Sequence, residues 1–575
     1  NSVVENVLTE NSSSGIYLMY SENIKISGSG VRNCQTGFYT GCSENITILG
    51  NTVENCGTGI QFFDSRDSLL ENNVISGSEW YDIYFWDSTG NTLIANVYKT
   101  SQGIPGMSGV QCFVSDGSAR ITWMTSESST TLVEYGLDTS YENSITDGVD
   151  VYHEVFISGL SNGTLYHFRA DSQYAGNVEM SADMTFVPVH VHIESDSEFT
   201  PDRGVTGGSG TENDPYIIEN WWLDAYSDIG AFIRNTTSHF ILRNIFVNGF
   251  GSGFAGIKTE NVVNGRIENV KVLNSGWGIY IQSSEQMEVN GAICQNNSND
   301  GIGIYGCRNV TVSNAICVNN YEGIYLEDSE NCVISDSLCE LNEDAGIYID
   351  DSENITVSGS ICLNNSAGGI VVYSDRVTLS GNICENNDEH GIYLSSSGSV
   401  LENNRCSGNG QSGIYLYSSQ NNTLSRNTTT GNSGCGIELE NSNLNTLSRN
   451  VSSGNGLFGI ALSNSTSNRL EANTYENSFM VPGISAVSVH EVTFNSATVL
   501  WTTLENSTSA VEYGTTPSFG SIRSVGGMTT AHSLTLTGLA AGTTYYFRVR
   551  STNESLNEEI SETFSFTTLS PPPPG

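Results

Sequence analysis

Bases are scarce in this sequence: 21 Lys and Arg stand against 63 Asp and Glu, a formal net charge of −42 at pH 7. That balance argues against binding nucleic acid or an anionic membrane through bulk charge, and leaves an acidic surface that could hold cations. No apolar run reaches the roughly 18 residues of a membrane-crossing helix, so no span is expected, and no leader-like segment opens the chain. Nor does any window carry a 3.6-residue apolar stripe with caps, which excludes a helical fold. The chain starts at Asn1 inside repeat-like sequence and ends in Pro571-Pro572-Pro573-Pro574-Gly575. Both ends read as cut, or matured, from something longer.

What is present is a phrase of 22 or 23 residues written again and again. The dipeptide Gly301-Ile302 returns as Gly323-Ile324, Gly346-Ile347, Gly369-Ile370, Gly391-Ile392, Gly413-Ile414, Gly436-Ile437 and Gly459-Ile460, with earlier copies at Gly256, Gly278 and in a first run from Gly15 to Asp82. A period near 20 residues marks a solenoid. After the marker the residues alternate, as in Ile347-Tyr348-Ile349-Asp350, before a turn Asp351-Ser352-Glu353-Asn354 and a new alternation Ile355-Thr356-Val357. Period two between Gly, Asn, Asp and Ser clusters is a strand-and-turn pattern, and three short strands per phrase make one coil of a right-handed parallel β-helix. The leucine-rich repeat has a similar period, but its Leu-rich helical half is missing.

Aligned on the marker, equivalent side chains should stack in columns about 4.8 Å apart. The isoleucines form the inner column. Four residues before the marker stand Asn297, Asn319, Asn342, Asn365, Asn387, Asn409, Asn432 and Asn455, which we read as a structural amide ladder at a sharp turn. Beside it runs a thiol column, Cys294, Cys317, Cys339, Cys362, Cys384 and Cys406. In-register neighbours sit farther apart than a disulfide's Cβ separation of about 3.8 Å, and a single file does not give zinc its four ligands, so these read as small buried hydrophobes. Thirteen cysteines is an odd number, so at least one is free or bonded to another chain. Outward positions carry Tyr325, Glu327, Tyr348, Asp350, Tyr373, Tyr393, Tyr415 and Tyr417. Such a row can stabilise the ladder, contact a protein or stack on sugars.

Near residue 103 the period breaks. Ala119-Arg120-Ile121-Thr122-Trp123, Val133-Glu134-Tyr135-Gly136, His153 and Tyr166-His167-Phe168-Arg169 recur in the same order as Ala497-Thr498-Val499-Leu500-Trp501, Val511-Glu512-Tyr513-Gly514, His532 and Tyr545-Tyr546-Phe547-Arg548. Each copy reads as a seven-stranded sandwich. Both resemble fibronectin type III domains of the kind that begins purple acid phosphatases; the phosphatase metal domain is absent, so the resemblance implies a spacer or adhesive module. The stretch Gly204 to Asn220 and the coils after it resemble the NosD-like β-helix family found in large surface proteins of methanogenic archaea. Copper handling does not carry over, because the eight His do not cluster and His190-x-His192 reads as a strand end.

The expected architecture is all-β, with β-helices alternating with fibronectin type III-like sandwiches: β-helix 1–102, sandwich 103–188, β-helix with an N-terminal cap segment 189–480, sandwich 481–569 and a Pro-rich linker 570–575. Asp350-Asp351 and His390-Gly391 are faintly similar to polygalacturonases, but that family's Arg-Ile-Lys element has no counterpart. We therefore expect no enzymatic activity, no catalytic or metal residues and no cofactor, calcium on turn carboxylates being the one alternative. The expected role is an exported structural element of an archaeal cell envelope, an S-layer, sheath or fibre, self-associating or bound to other envelope proteins. An adhesin or glycan-binding protein comes second, and a polysaccharide lyase, hydrolase or epimerase third. Sequons are abundant; Asn45, Asn309 and Asn354 fall on outer turns open to glycan, whereas Asn11 is expected inside the ladder.

Overall fold

In the computed structural model, which describes residues 2–570, strands dominate and the only helices among the described residues are two short 3₁₀ turns, Asp196–Glu198 and Pro201–Arg203. Residues 571–575 of the expected linker lie outside the described residues. The chain divides into two compact units, one of residues 1–190 with 201–204 and 222–224, the other of the remainder.

In the first unit, strands from three columns pair parallel and in register. One column runs Ser2–Glu5, Glu22–Ser27, Glu44–Leu49, Leu69–Glu71 and Thr92–Ile94; another runs Ser14–Met19, Thr36–Gly41, Thr58–Phe63 and Tyr81–Trp86. Ile48, Val53, Ile60, Leu70, Ile83 and Leu93 fill the interior without measurable exposure. Antiparallel strands follow, Ser108–Ser115, Ser118–Gly136, Asn143–Ser158 and Tyr166–Tyr174, around the buried Trp123 and Phe168.

The second unit repeats this plan on a longer scale. Its β-helix has three parallel columns, exemplified by Ile302–Tyr305, Thr311–Ser313 and Ile316–Val318, each strand paired to its equivalent on the neighbouring coil. Ile302, Ile324, Ile347 and Ile370 are register partners and fully buried, so they form one inner file. Burying each such side chain contributes about 1.5–3 kcal/mol, and the β-branched Ile suits the pleat. A sandwich follows, from Ser485–His490 to Phe564–Thr567, with Trp501, Phe547 and Val549 in its core.

In each unit a strand of the sandwich also pairs parallel with the β-helix. Asn177–Met180 lies against Thr92–Ile94, and Glu558–Ile560 lies against Arg469–Glu471. Each acts as part of a further coil and covers a sheet edge that would otherwise be an unpaired template.

Candidate functional site

The columns of the second unit define its outward chemistry. The amide ladder occupies one turn: Asn342 Nδ2 donates to Asn365 Oδ1 at 2.9 Å, Asn365 to Asn387 at 2.9 Å, and Asn387 to Asn409 at 3.0 Å, while each second amide hydrogen reaches a backbone carbonyl one coil back, as Asn365 does to Cys339 and Asn387 to Cys362. Asn297, Asn409, Asn432 and Asn455 lie in the same file. Asn319 does not, and this corrects the sequence reading: Asn320 takes the place, accepting from Asn297 at 2.8 Å and donating to Asn342. The ladder keeps register with the thiols, three residues after each cysteine, and not with the marker glycine. Asn319 instead holds the left-handed corner at φ 53°, as Asn296, Leu341, Asn364 and Asn386 do on their coils. The left-handed residue thus precedes the ladder amide.

Two more polar ladders escaped the sequence reading. One runs through Asn382, Asn404, Asn427, Asn450 and Asn473, the other through Asn422, Asn445 and Asn468. Their signal, Asn at a fixed offset in successive phrases, was present but masked by the abundance of Asn elsewhere.

Cys294, Cys317, Cys339, Cys362, Cys384 and Cys406 are register partners, fully buried and free. Hydrogen bonds to neighbouring thiols, together with burial, hold Cys294, Cys339 and Cys384 well above the ordinary thiol value. They are inert packing groups, beyond the reach of a nucleophile's solvent partners.

The tyrosines form a continuous row. Ring centroids run Tyr280 to Tyr305 4.8 Å, Tyr305 to Tyr325 5.4 Å, Tyr325 to Tyr348 5.5 Å, Tyr348 to Tyr373 5.8 Å, Tyr373 to Tyr393 5.1 Å and Tyr393 to Tyr415 5.6 Å. Where Gly303 and Val371 interrupt the tyrosine position, Tyr305 and Tyr373, two residues later, swing across to complete the row; a Cβ on Gly303 would meet the Tyr305 ring at 2.6 Å. Tyr280 with Tyr305 and Tyr325 with Tyr348 stack, their planes 27° and 30° apart, while the other pairs tilt by 32° to 56° and leave their faces partly uncovered. Glu327 and Asp350 stand beside it as register partners, and Tyr417 lies 6.3 Å from Tyr415.

One residue before the marker glycine is a column the sequence reading passed over: Asp300, Glu322, then Ala345 and Gly368, then His390 and Ser412. Asp300 and Glu322 are both buried and bond to each other, and Tyr305 donates to Asp300 at 2.5 Å. Burial, then the bond and charge of Asp300, push Glu322 up to about 9, so at neutral pH the pair holds a proton. His390 stacks on Tyr415 at 4.4 Å and accepts from Ser412 N at 3.2 Å; burial draws its imidazolium down to about 4.

Other expected positions are dispersed. Asp328, Asp350 and Asp351 join no group of three ligand atoms among the described residues, Asp328 and Asp351 being exposed at left-handed corners. His192 bonds Glu194 at 3.1 Å and packs edge-on against Phe232. His153 and His532 stack on Trp123 and Trp501, each at 4.8 Å, and bond sandwich hydroxyls. Asn45, Asn309 and Asn354 are exposed, while Asn427 and Asn450, also in sequons, are buried. Asn11 is exposed at φ 53°, which corrects the expectation that it lies inside a ladder.

This coil and these columns define a right-handed parallel β-helix. The family described as right handed beta helix region matches residues 205–343, 255–400 and 345–507, more than half of the sequence together, and the chain belongs to it. The periplasmic copper-binding protein (NosD) family matches residues 1–108, and the N-terminal domain of purple acid phosphatase matches 484–568. No curated protein matches the chain. Among solved structures, the A-module of Azotobacter vinelandii mannuronan C-5 epimerase AlgE4 is 15% identical with a TM-score of 0.38, covering 46% of this chain and 84% of that one. Periplasmic alginate epimerase AlgG is 16% identical with a TM-score of 0.33, over 52% and 81%. The Yersinia enterocolitica family 28 exopolygalacturonase is 11% identical with a TM-score of 0.31, over 66% and 96%.

These neighbours correct the expectation that the chain has no enzymatic activity: the β-helices beside it are enzymes, so a regular coil gives no ground for excluding catalysis. At these identities the likeness is one of fold and carries no substrate.

Proposed function

We propose that the chain serves as a structural scaffold outside the cytoplasm, in the cell envelope, with each β-helix joined stiffly to the sandwich that follows it. The observation that carries this reading is the doubled joint. In the first unit Asn91 Nδ2 donates to Asn177 Oδ1 at 2.9 Å, and in the second Asn468 Nδ2, on the last rung of the Asn422, Asn445 and Asn468 ladder, donates to Asn557 Oδ1 at 3.3 Å, so a side-chain amide pair joins coil to sandwich both times. Beside it the Tyr98 hydroxyl donates to Glu179 and the Tyr475 hydroxyl to Glu559, each carboxylate also accepting backbone N–H groups, from Gly106 and Met107 at 2.9 Å and from Ile484 at 2.8 Å. A flexible string of domains would not need a buried joint of this kind. The acidic surface and the periplasmic description of the family matching residues 1–108 support the location.

The test is a distance distribution inside the second unit. Spin labels introduced by a noncanonical amino acid at Glu340 and Arg523 are expected to give one narrow pulsed-EPR distance. A broad distribution would show sandwich and coil moving independently and would overturn the stiff-scaffold reading.

A further inference from the structure

The outward face of the strands from Ile302–Tyr305 to Ile437–Glu440 carries acids and phenols and no base. Over residues 295–465 there is no lysine, and the five arginines, Arg308, Arg376, Arg405, Arg426 and Arg449, stand on other strands and turns. Four of those arginines hold acids there: Arg308 bonds Glu330 at 2.7 Å, Arg405 Glu385 at 3.1 Å, Arg426 Glu402 at 2.6 Å, and Arg376 pairs with Glu353. No such partner stands within the face for Glu327, Asp350, Glu438 or Glu440. Glu438 and Glu440 accept only from neutral groups in their surroundings, Ser412 Oγ at 2.6 Å and the Tyr415 hydroxyl at 2.7 Å.

At its N-terminal end the same sheet shows how a cation sits on this surface. Lys258 Nζ lies 5.4 Å from the Phe232 ring centroid and 5.3 Å from that of Tyr280, and 2.9 Å from Glu260. Through the strand register, Lys258 and Glu260 occupy on their coil the positions that Tyr325 and Glu327, then Tyr348 and Asp350, occupy farther along. An ammonium beside an aromatic ring and a carboxylate gains from both at once.

We propose that this face docks a lysine-bearing segment of a partner protein, its ammonium groups seated against the tyrosine row and on Glu327, Asp350, Glu438 and Glu440 as Lys258 is seated on Glu260. Charge complementarity selects the occupant. A second copy of the chain, at −42, would bring like charge to the face, and nucleic acid or an anionic glycan would be repelled by it. The proposal does not depend on the scaffold reading, since a flexible chain would present the same face.

The test is fluorescence anisotropy with the full chain and a labelled peptide of about twelve alternating Lys and Ser residues, at roughly 0.15 M salt, where long-range attraction between exposed charges is largely screened. Glu327→Gln with Asp350→Asn is expected to weaken binding by about tenfold, and Glu288→Gln with Glu340→Gln, an equal change of net charge on the other two strand columns, by less than about twofold. Tyr348→Leu, which leaves the charge untouched, is expected to weaken binding by about threefold. Circular dichroism establishes that each variant keeps its strands, and the surface carboxylate pairs serve as the deciding variants if Tyr348→Leu loses them. Equal weakening by the two carboxylate pairs would mean attraction to bulk charge alone and would overturn the proposal. So would displacement of the peptide by spermine at equal ammonium concentration, which would mean a free oligoamine site, or absence of binding at millimolar peptide.

Discussion

Asn557 belongs to the sandwich of the second unit, yet its side chain completes the Asn422, Asn445 and Asn468 ladder of the β-helix. Its Oδ1 accepts from both the backbone N–H and the side-chain amide of Asn468, at 3.0 and 3.3 Å, and its own amide donates to the Ser465 carbonyl at 2.9 Å. Two residues distant in sequence are thereby treated as adjacent rungs, and Asn91 and Asn177 repeat the relationship in the first unit.

Asn557→Ala should therefore act on the coil as well as on the sandwich. It leaves two donors of the buried Asn468 without an acceptor, a cost of about 1–3 kcal/mol. The expected readout is faster amide hydrogen exchange along Arg469–Glu471 and Glu558–Ile560 with the Trp501 environment unchanged. Exchange confined to the sandwich would mean that the shared rung does not couple the two.

The thiols offer a sharper test of inside and outside. All thirteen are free; the six ladder cysteines are fully buried, and Cys42 is partly exposed on an outer turn. A maleimide added to the native protein should label Cys42 first, and the ladder thiols only after denaturant unfolds the coil. Peptide mapping that found Cys339 or Cys362 labelled in native protein would contradict the file of buried thiols.

How much of this was legible in the sequence follows from the period. Wherever the coil repeats strictly, one residue defines a column, and the Ile302, Cys317 and Tyr348 positions could be read directly. Asn319 misled because its coil drops a residue between thiol and marker, so an alignment on Gly323 slips by one at the turn that precedes it. Asp300 with Glu322 was missed for a different reason. The residue before the marker changes from coil to coil, through Trp277, Ala345, Gly368, His390, Ser412 and Phe458, so no repeating residue type announces the column, and only packing shows that two acids share a proton there. The shared coil between β-helix and sandwich was not legible at all, because Asn177–Met180 and Glu558–Ile560 read locally as ordinary sandwich strands and their partners lie far away in the chain.

The carboxyl pair gives a pH dependence of definite sign. Glu322 is raised to about 9 in the folded chain, against an ordinary carboxyl value of about 4.3 when unfolded. Between those values the folded state binds the extra proton, so stability falls as pH rises through the window and is greatest, for this group, on the acid side. His390 runs in the opposite sense: drawn down to about 4, it is neutral when folded and its contribution is lost as pH falls from about 6.5. Glu322→Gln keeps a donor to Asp300 without the titration, and should stabilise the protein by more than about 1 kcal/mol at pH 8 while changing little at pH 5. Urea denaturation of the two proteins at both pH values measures this directly. A Glu322→Gln variant destabilised at pH 8 would show that the carboxyls are not sharing a proton, and that Glu322 stands ionised beneath the tyrosine row.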